Sequence, residues 1–508
     1  MPSPELLARL GELSDLRHAG QVLAWDQMVM MPPAGAAARG RALGAIESLA
    51  HERLVAPQLG ALLDAERADA QLVRTVRRDH EVARRVPSEL AVEMTLAGSE
   101  GYAVWLRARE ANDFAVFEPA LRRNIELARR YADCFAESEH PYDPLLDRYE
   151  PGTTTAQVAS LFARLRDGLV PLLGEIARRP APPALSGDFP IAAQRELGLQ
   201  IAHAMGFDEH AWRLDDAVHP FASSPAGGDI RVTSRFDEHS LTGLFALMHE
   251  VGHGLYEHGV DPALARTTLD SGVSLGVHES QSRLWENQVG RGEPFWSHWL
   301  PRLRHAIPTL GDVALEDFLR AINVVEPTLI RVEADELTYS LHVVLRFELE
   351  LALIEGTLDP GDLPQAWSDK TRELLGIEVP DDLHGVLQDI HWSEGIIGYF
   401  PTYTIGNVLA AQLWRAVRAD LPGLDDELCA GDYAGLRDWL VDKVHRHGRR
   451  LTPAELIEQA VGGPLDEQPM LEHLSVKYRA LYGLPVIRVP HGTPAITPEM
   501  VRRALDED

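Results

Sequence analysis

Cysteine is nearly absent: Cys134 and Cys429 are the only two among 508 residues, and no CxxC spacing occurs. That excludes a disulfide framework and a thiolate metal cage, and it fits a reducing, cytoplasmic setting. Basic side chains are also in short supply, 48 against 77 acidic ones. With that balance a general phosphate-binding surface is excluded, so no nucleic-acid partner is expected, and an anionic ligand group must be met by particular arginines. No run of about 18 apolar residues occurs, and the start Met1-Pro2-Ser3-Pro4-Glu5 lacks the basic and apolar regions of an export signal. Neither export nor membrane insertion is expected. A repeat of roughly 20 to 50 residues is missing as well, which argues against a helical solenoid.

What is present reads mostly as amphipathic helix. Leu6, Leu7 and Leu10, then Leu43, Ile46 and Leu49, then Leu161, Leu165, Leu169 and Leu172 recur at three- and four-residue spacing. Met31-Pro32-Pro33, Glu139-His140-Pro141, Arg179-Pro180-Ala181-Pro182-Pro183, Asp359-Pro360-Gly361 and Leu421-Pro422-Gly423 read as inter-helix turns. One stretch departs from this pattern: Gly228-Asp229-Ile230-Arg231-Val232-Thr233 alternates apolar with polar and predicts a strand in a small sheet. From about Pro485 the chain reads as an extended tail.

Just after that strand, Ser240 to Gly259 predicts one helix, with Ser240 as N-cap and Gly259 as stop. It contains His249-Glu250-Val251-Gly252-His253, an HExxH pattern. On a helix His249 and His253 lie about 40° apart and one turn from each other, so both imidazoles can meet one ion. Glu250 falls about 60° beyond His253, placed to take a proton from a metal-activated water without binding the ion. A chain of this length would show on the order of 0.1 such matches by chance, so context must support it. Gly243, Gly252 and Gly254 supply that context, since glycine weakens a helix by about 1 kcal/mol and is best explained by a close approach to the backbone.

The third ligand sets the subclass. The metzincin pattern fails because Tyr256 and Gly259 occupy the positions it needs. Glu257 shares the face but lies about 12 Å along the axis from His249, and His258 faces about 140° away from His253. The stretch Val277 to Asn287 predicts a second helix ending near Gly290, with Glu279 as the chosen ligand and Glu286, two turns on, as the competitor. Two histidines and a glutamate leave a fourth position for water, the arrangement of a catalytic zinc site.

Further blocks carry a resemblance. They are Val22-Leu23-Ala24-Trp25-Asp26-Gln27, Met31-Pro32, His219-Pro220-Phe221, Asp229-Ile230-Arg231-Val232-Thr233, His278-Glu279-Ser280, Ile330 to Glu336, Gly385 to Trp392, and Lys477 to Gly483. In these the chain resembles the thermostable carboxypeptidase Taq family, zinc metallocarboxypeptidases that combine HExxH with a downstream Glu ligand. The resemblance implies a mainly α, large single-body helical metallopeptidase with a deep central groove and a small antiparallel β-sheet next to the HExxH helix. It implies one catalytic domain over residues 1–484, with a helical lid region in about the first 120, and a tail over 485–508. The expected enzyme is a homodimer holding one zinc per chain, with cobalt or manganese as substitutes. It would remove C-terminal residues from peptides that carry a free carboxylate, with broad tolerance and poor cleavage at proline.

Reading a free α-carboxylate calls for a planar guanidinium, and Arg231 and Arg331 are the candidates. For Arg231 the family's Asp-x-Arg-x-Thr segment suggests a wall closing the groove; for Arg331 the alternative is an ion pair with Glu333 or Asp335. Asp335 and Ser282 are assigned supporting roles, Asp335 by orienting a metal-binding histidine. His219, His278, Tyr399 and Tyr403 are candidate donors to the oxyanion or substrate backbone, although aromatics as dense as Tyr399-Phe400-Pro401-Thr402-Tyr403 are often packing residues. His391-Trp392 is read as groove support or contact. A related zinc oligoendopeptidase or dipeptidase is the alternative function, and a non-catalytic peptide-binding scaffold the more distant one.

Overall fold

Leucine spacing of three and four residues becomes helix wherever it recurs. Pro4–Val29 carries the first set, Ala36–Val55 the second and Thr155–Ile176 the third, and the proline-rich stretches fall between helices as turns or short 3-10 segments. The computed structural model describes residues 2–486, so the tail expected over 485–508 lies, beyond Val486, outside the described residues. No helix among the described residues is long and apolar enough to cross a membrane.

Two large cores form. One gathers Phe117, Phe162, Leu165, Phe347 and Trp367; the other surrounds the HExxH helix with Leu247, Val251, Trp285, Trp296 and Leu413. Helix Pro401–Asp420 joins them into one body, giving Ile405, Val408 and Ala411 to the first and Leu409, Leu413 and Trp414 to the second. A smaller core ties the N-terminal helices through Leu6, Leu10, Leu59, Leu63 and Val76 to Val260, Leu264 and Leu269, just after the HExxH helix.

The sheet has three strands, β1 Trp212–Asp216, β2 Ala222–Ala226 and β3 Asp229–Ser234, in the order β1-β3-β2. β3 runs antiparallel to β2 but parallel to β1, so the sheet is mixed where an antiparallel one was expected. The tight Gly227-Gly228 connection dictates only the β2–β3 pairing, and β1 enters along the other edge of β3.

The HExxH helix spans Thr242–His258 and ends at Gly259 as expected. Its start differs from the sequence reading. Leu241 holds the N-cap position without a side-chain bond, and the Ser240 hydroxyl pairs instead with that of Thr242 at 2.8 Å. The glycines do permit close approach. A Cβ on Gly252 would lie 2.8 Å from the Gln281 carbonyl oxygen, and one on Gly254 would collide with the Trp212 ring. The second helix, Leu275–Arg283, is capped by Ser274, whose hydroxyl accepts from the Val277 amide, and continues as a π-helix over Leu284–Val289 before Gly290.

Candidate active site

The HExxH helix meets the Leu275–Arg283 helix at Gly252, which lies against Gln281 and Ser282, and this contact brings three candidate ligand atoms together. The Nε2 atoms of His249 and His253 each lie 3.5 Å from Glu279 Oε2, and one donor atom from each of the three residues falls within 4.8 Å of the others. Two imidazoles one helical turn apart and a carboxylate from the next helix form a donor set that suits a divalent ion. Both Nδ1 atoms point away from that centre into fixed partners, leaving each Nε2 for the ion.

Behind His249, Nδ1 lies 2.8 Å from Glu286 Oε2, and Arg283 Nη1 donates to that same carboxylate oxygen at 3.1 Å. Glu286 is thus a supporting residue and not the third ligand. The wider π turn that carries it coincides with its reach to His249. Behind His253, Nδ1 lies 2.7 Å from Nδ1 of His278, whose Nε2 lies 2.9 Å from Glu257 Oε1. With Glu257 as acceptor the proton order follows: His278 donates to Glu257, and His253 donates to His278. Glu257 is anchored in turn by the Gly272 amide at 2.9 Å.

Glu279 itself is held from three sides. Arg283 Nε donates to Oε1 at 2.7 Å, Ser282 Oγ donates to Oε2 at 3.1 Å, and burial leaves the residue 7% exposed. Burial alone would raise its pKa, but Arg283, His249 and His253 together hold the carboxyl well below the usual range. Glu286 follows the same logic and is brought down to about 2. Burial lowers His253 to about 3, which keeps its imidazole neutral as a ligand requires. Glu250 is different. Burial, with Glu279 and Glu286 adding repulsion, pushes its pKa up to about 7 against the pull of His249. A carboxyl poised near neutrality beside the ligand set is suited to moving protons.

The ligand set, Glu250, Tyr399, Thr402 and Tyr403 line a cleft of about 710 Å³, walled by the N-terminal helix, Pro220 to Pro225 and the Thr267–Leu275 segment. Tyr399 and Tyr403 thus line the same cleft as the His-His-Glu group, and Ser282 lies behind it against Glu279. Tyr403 is fixed by His391, with Nε2 and the hydroxyl 3.1 Å apart, while the Trp392 indole donates to Glu350. His219 is exposed and off the cleft wall, although its neighbours Pro220 and Phe221 line it.

Four expectations change. His278 has both ring nitrogens engaged by His253 and Glu257, so it supports a ligand and does not offer a free donor to substrate. Asp335 meets no histidine. Its carboxylate accepts the amides of Glu326, Leu337 and Thr338 and the Thr338 hydroxyl, capping the turn before helix Tyr339–Glu355. Arg331 pairs with Asp389 through Nε at 3.1 Å and Nη2 at 2.9 Å, not with Glu333 or Asp335, and is buried over Tyr403. Arg231 likewise has its fork closed on Asp229 at 2.7 and 2.8 Å and stacks on Trp25. Sequence reading missed Arg283, although its spacing of four from Glu279 and three from Glu286 is a helical pairing signal.

The family model described as Carboxypeptidase Taq (M32) metallopeptidase matches residues 5–478. Thermostable carboxypeptidase 1 of Thermus thermophilus is 42% identical over 495 residues, covering 93% of this chain and 97% of that protein. Carboxypeptidase 1 of Bacillus subtilis is 36% identical over 94% of this chain and 97% of its own. The crystal structure of the M32 carboxypeptidase from Deinococcus radiodurans matches with a TM-score of 0.92 at 41% identity, over 94% of this chain and 99% of that one. A helical body of the same shape, matched along nearly its whole length and carrying a His-His-Glu ligand set, places this chain in the carboxypeptidase Taq family of metallopeptidases, as a metallocarboxypeptidase.

Proposed function

We propose that the ion is zinc, held by His249, His253 and Glu279, and that Glu250 is the general base of peptide hydrolysis at the C-terminal bond. The observation that carries this is the position of Glu250: buried, next to His249 in the chain, and lining the cleft with the ligand set. When bound there, zinc supplies Lewis-acid activation of water and of the scissile carbonyl.

The chain's own residues do the rest. Glu250 takes a proton from the attacking water on its carboxylate and returns it to the departing amine. Glu286 holds the tautomer and orientation of His249, and the His278–Glu257 pair does so for His253. The phenols of Tyr399 and Tyr403, both raised in pKa by burial and so kept protonated, donate to the substrate carbonyl or backbone. Arg231 and Arg331, each gripped by an aspartate, lie outside the cleft lining and serve to fix the structure around it.

A cleft of this size supports broad side-chain tolerance, with poor cleavage at proline carried over from the family resemblance. A homodimer, a cytoplasmic setting and an N-terminal lid over about the first 120 residues belong to the same reading; two free cysteines fit a reducing compartment. The test compares free-acid and amidated peptides by product mass, with and without chelator, for wild type and Glu250→Gln. Single C-terminal residues should be released from free acids only, and the variant should lose about 100- to 10,000-fold in kcat while keeping its metal. Equal cleavage of amidated peptides refutes the exopeptidase reading, and an active Glu250→Gln refutes the base.

A further inference from the structure

The arginines around the cleft are almost all committed. Arg231 is closed on Asp229, Arg331 on Asp389 and Arg449 on Asp79, while Arg283 is shared between Glu279 and Glu286. Of the residues that line the cleft, only Arg283 and Arg17 are arginines. Arg17 makes no hydrogen bond or ion pair among the described residues.

Its placement is specific. Ser14, Arg17, His18 and Gln21 stand at intervals of three and four on helix Pro4–Val29, forming a polar stripe that lines the same cleft as the metal ligands. Arg17 is exposed at the mouth of this stripe, and the protein around it still lowers its pKa by desolvation. Asp79 and Glu47 oppose that fall and Arg449 adds to it, but Asp79 already accepts from both Nη1 and Nη2 of Arg449 at 2.9 Å. Exposed on the cleft and unpaired among the described residues, the guanidinium keeps all five donors open, so an incoming carboxylate can take a two-pronged bond without displacing a protein partner. The remaining charge of the cleft is mostly acidic, with Glu250, Glu257, Asp270 and Glu279 on its wall, and would otherwise repel an anionic substrate.

We infer that Arg17 is the carboxylate-binding residue of the substrate cleft, receiving an anionic group of the bound peptide from the N-terminal helix that lines it. The inference rests on the exopeptidase reading above and adds to it the side chain that recognises the substrate. The carboxylate has two sources in a peptide, the α-carboxylate at the C-terminus or an aspartate or glutamate side chain upstream of the cleaved bond.

The experiment measures kcat and KM separately for wild type, Arg17→Gln and Arg17→Lys. Three N-blocked peptides serve as substrates: a neutral free acid, the same peptide with an upstream aspartate, and its amide. Arg17→Gln should raise KM by about 10- to 100-fold with kcat nearly unchanged, as loss of a charge-assisted bond predicts. Arg17→Lys, which keeps the charge but loses the fork, should fall between. A rise for both free acids assigns the α-carboxylate, and a rise confined to the aspartate peptide assigns the side chain. Unchanged KM on every peptide, or a fall in kcat alone, overturns the role of Arg17. Wild type serves as its own control. If it cleaves the amide as fast as the acid, the exopeptidase reading fails whatever Arg17 does. Thermal unfolding of both variants separates lost binding from lost fold.

Discussion

At the scale of single residues, the His-His-Glu group depends on partners, of which only Arg283, four residues from Glu279, carries a local signal. His249 needs Glu286, His253 needs His278, and Glu279 needs Arg283. Removing charge behind a ligand weakens the ligand, because an imidazole that donates to a carboxylate is the better base on its other nitrogen. Glu286→Gln is therefore expected to lower metal affinity by about 10- to 100-fold while the protein stays folded, as measured by competition against a chelator of known affinity. Asp335→Asn should leave that affinity unchanged, since Asp335 serves amides in a turn and no histidine. If the two variants behave alike, the assignment of Glu286 is wrong.

At the scale of elements, the site is built where helices approach closely. Helix Leu275–Arg283 is clasped between the HExxH helix and helix Pro401–Asp420. A Cβ on Gly406 would lie 2.5 Å from Cβ and Cγ of Glu279, so the smallest added group presses directly on the ligand. Gly406→Ala should cost about 1–3 kcal/mol of stability by overpacking and weaken metal binding as well. Titration of the apo-protein with metal, alongside urea unfolding, checks both. A destabilised variant with wild-type metal affinity would mean that the helices part without moving Glu279.

At the scale of the whole molecule, stability is tied to pH through buried carboxyls that serve packing and not chemistry. Glu350 joins the loop holding Trp392 to Tyr142, accepting from the Tyr142 hydroxyl, the Trp392 indole at 2.7 Å and the Gly398 amide at 3.1 Å. Burial pushes its pKa up to about 7 despite those bonds. Between about 4.5 and 7 the folded chain then holds a proton that the unfolded chain has released, so this group makes stability fall as pH rises and adds no slope above that range. Glu350→Gln removes the titration, and between pH 5 and 8 the variant should gain about 2.5 kcal/mol on the wild type in unfolding free energy. A constant difference across that range would show that Glu350 is ionised throughout.

The sequence by itself determined what lies within one helix: a 3.6-residue period is enough to turn His249 and His253 onto one face, put Glu250 beside them and rule out Glu257 and His258. The helical class and the strand at Asp229–Ser234 were legible for the same reason, because period and turn chemistry are local. Only the tertiary structure decided the rest. Glu279 and Glu286 sit on the same helix at similar angles, and only the docking of that helix set Glu279 beside the Nε2 atoms of both histidines and Glu286 behind His249. Arg331 found its partner 58 residues away at Asp389, and Arg17 was left without one, which no spacing in the sequence records. Ligand geometry within a helix is fixed by backbone period, whereas the pairing of charges depends on which surfaces the fold brings face to face.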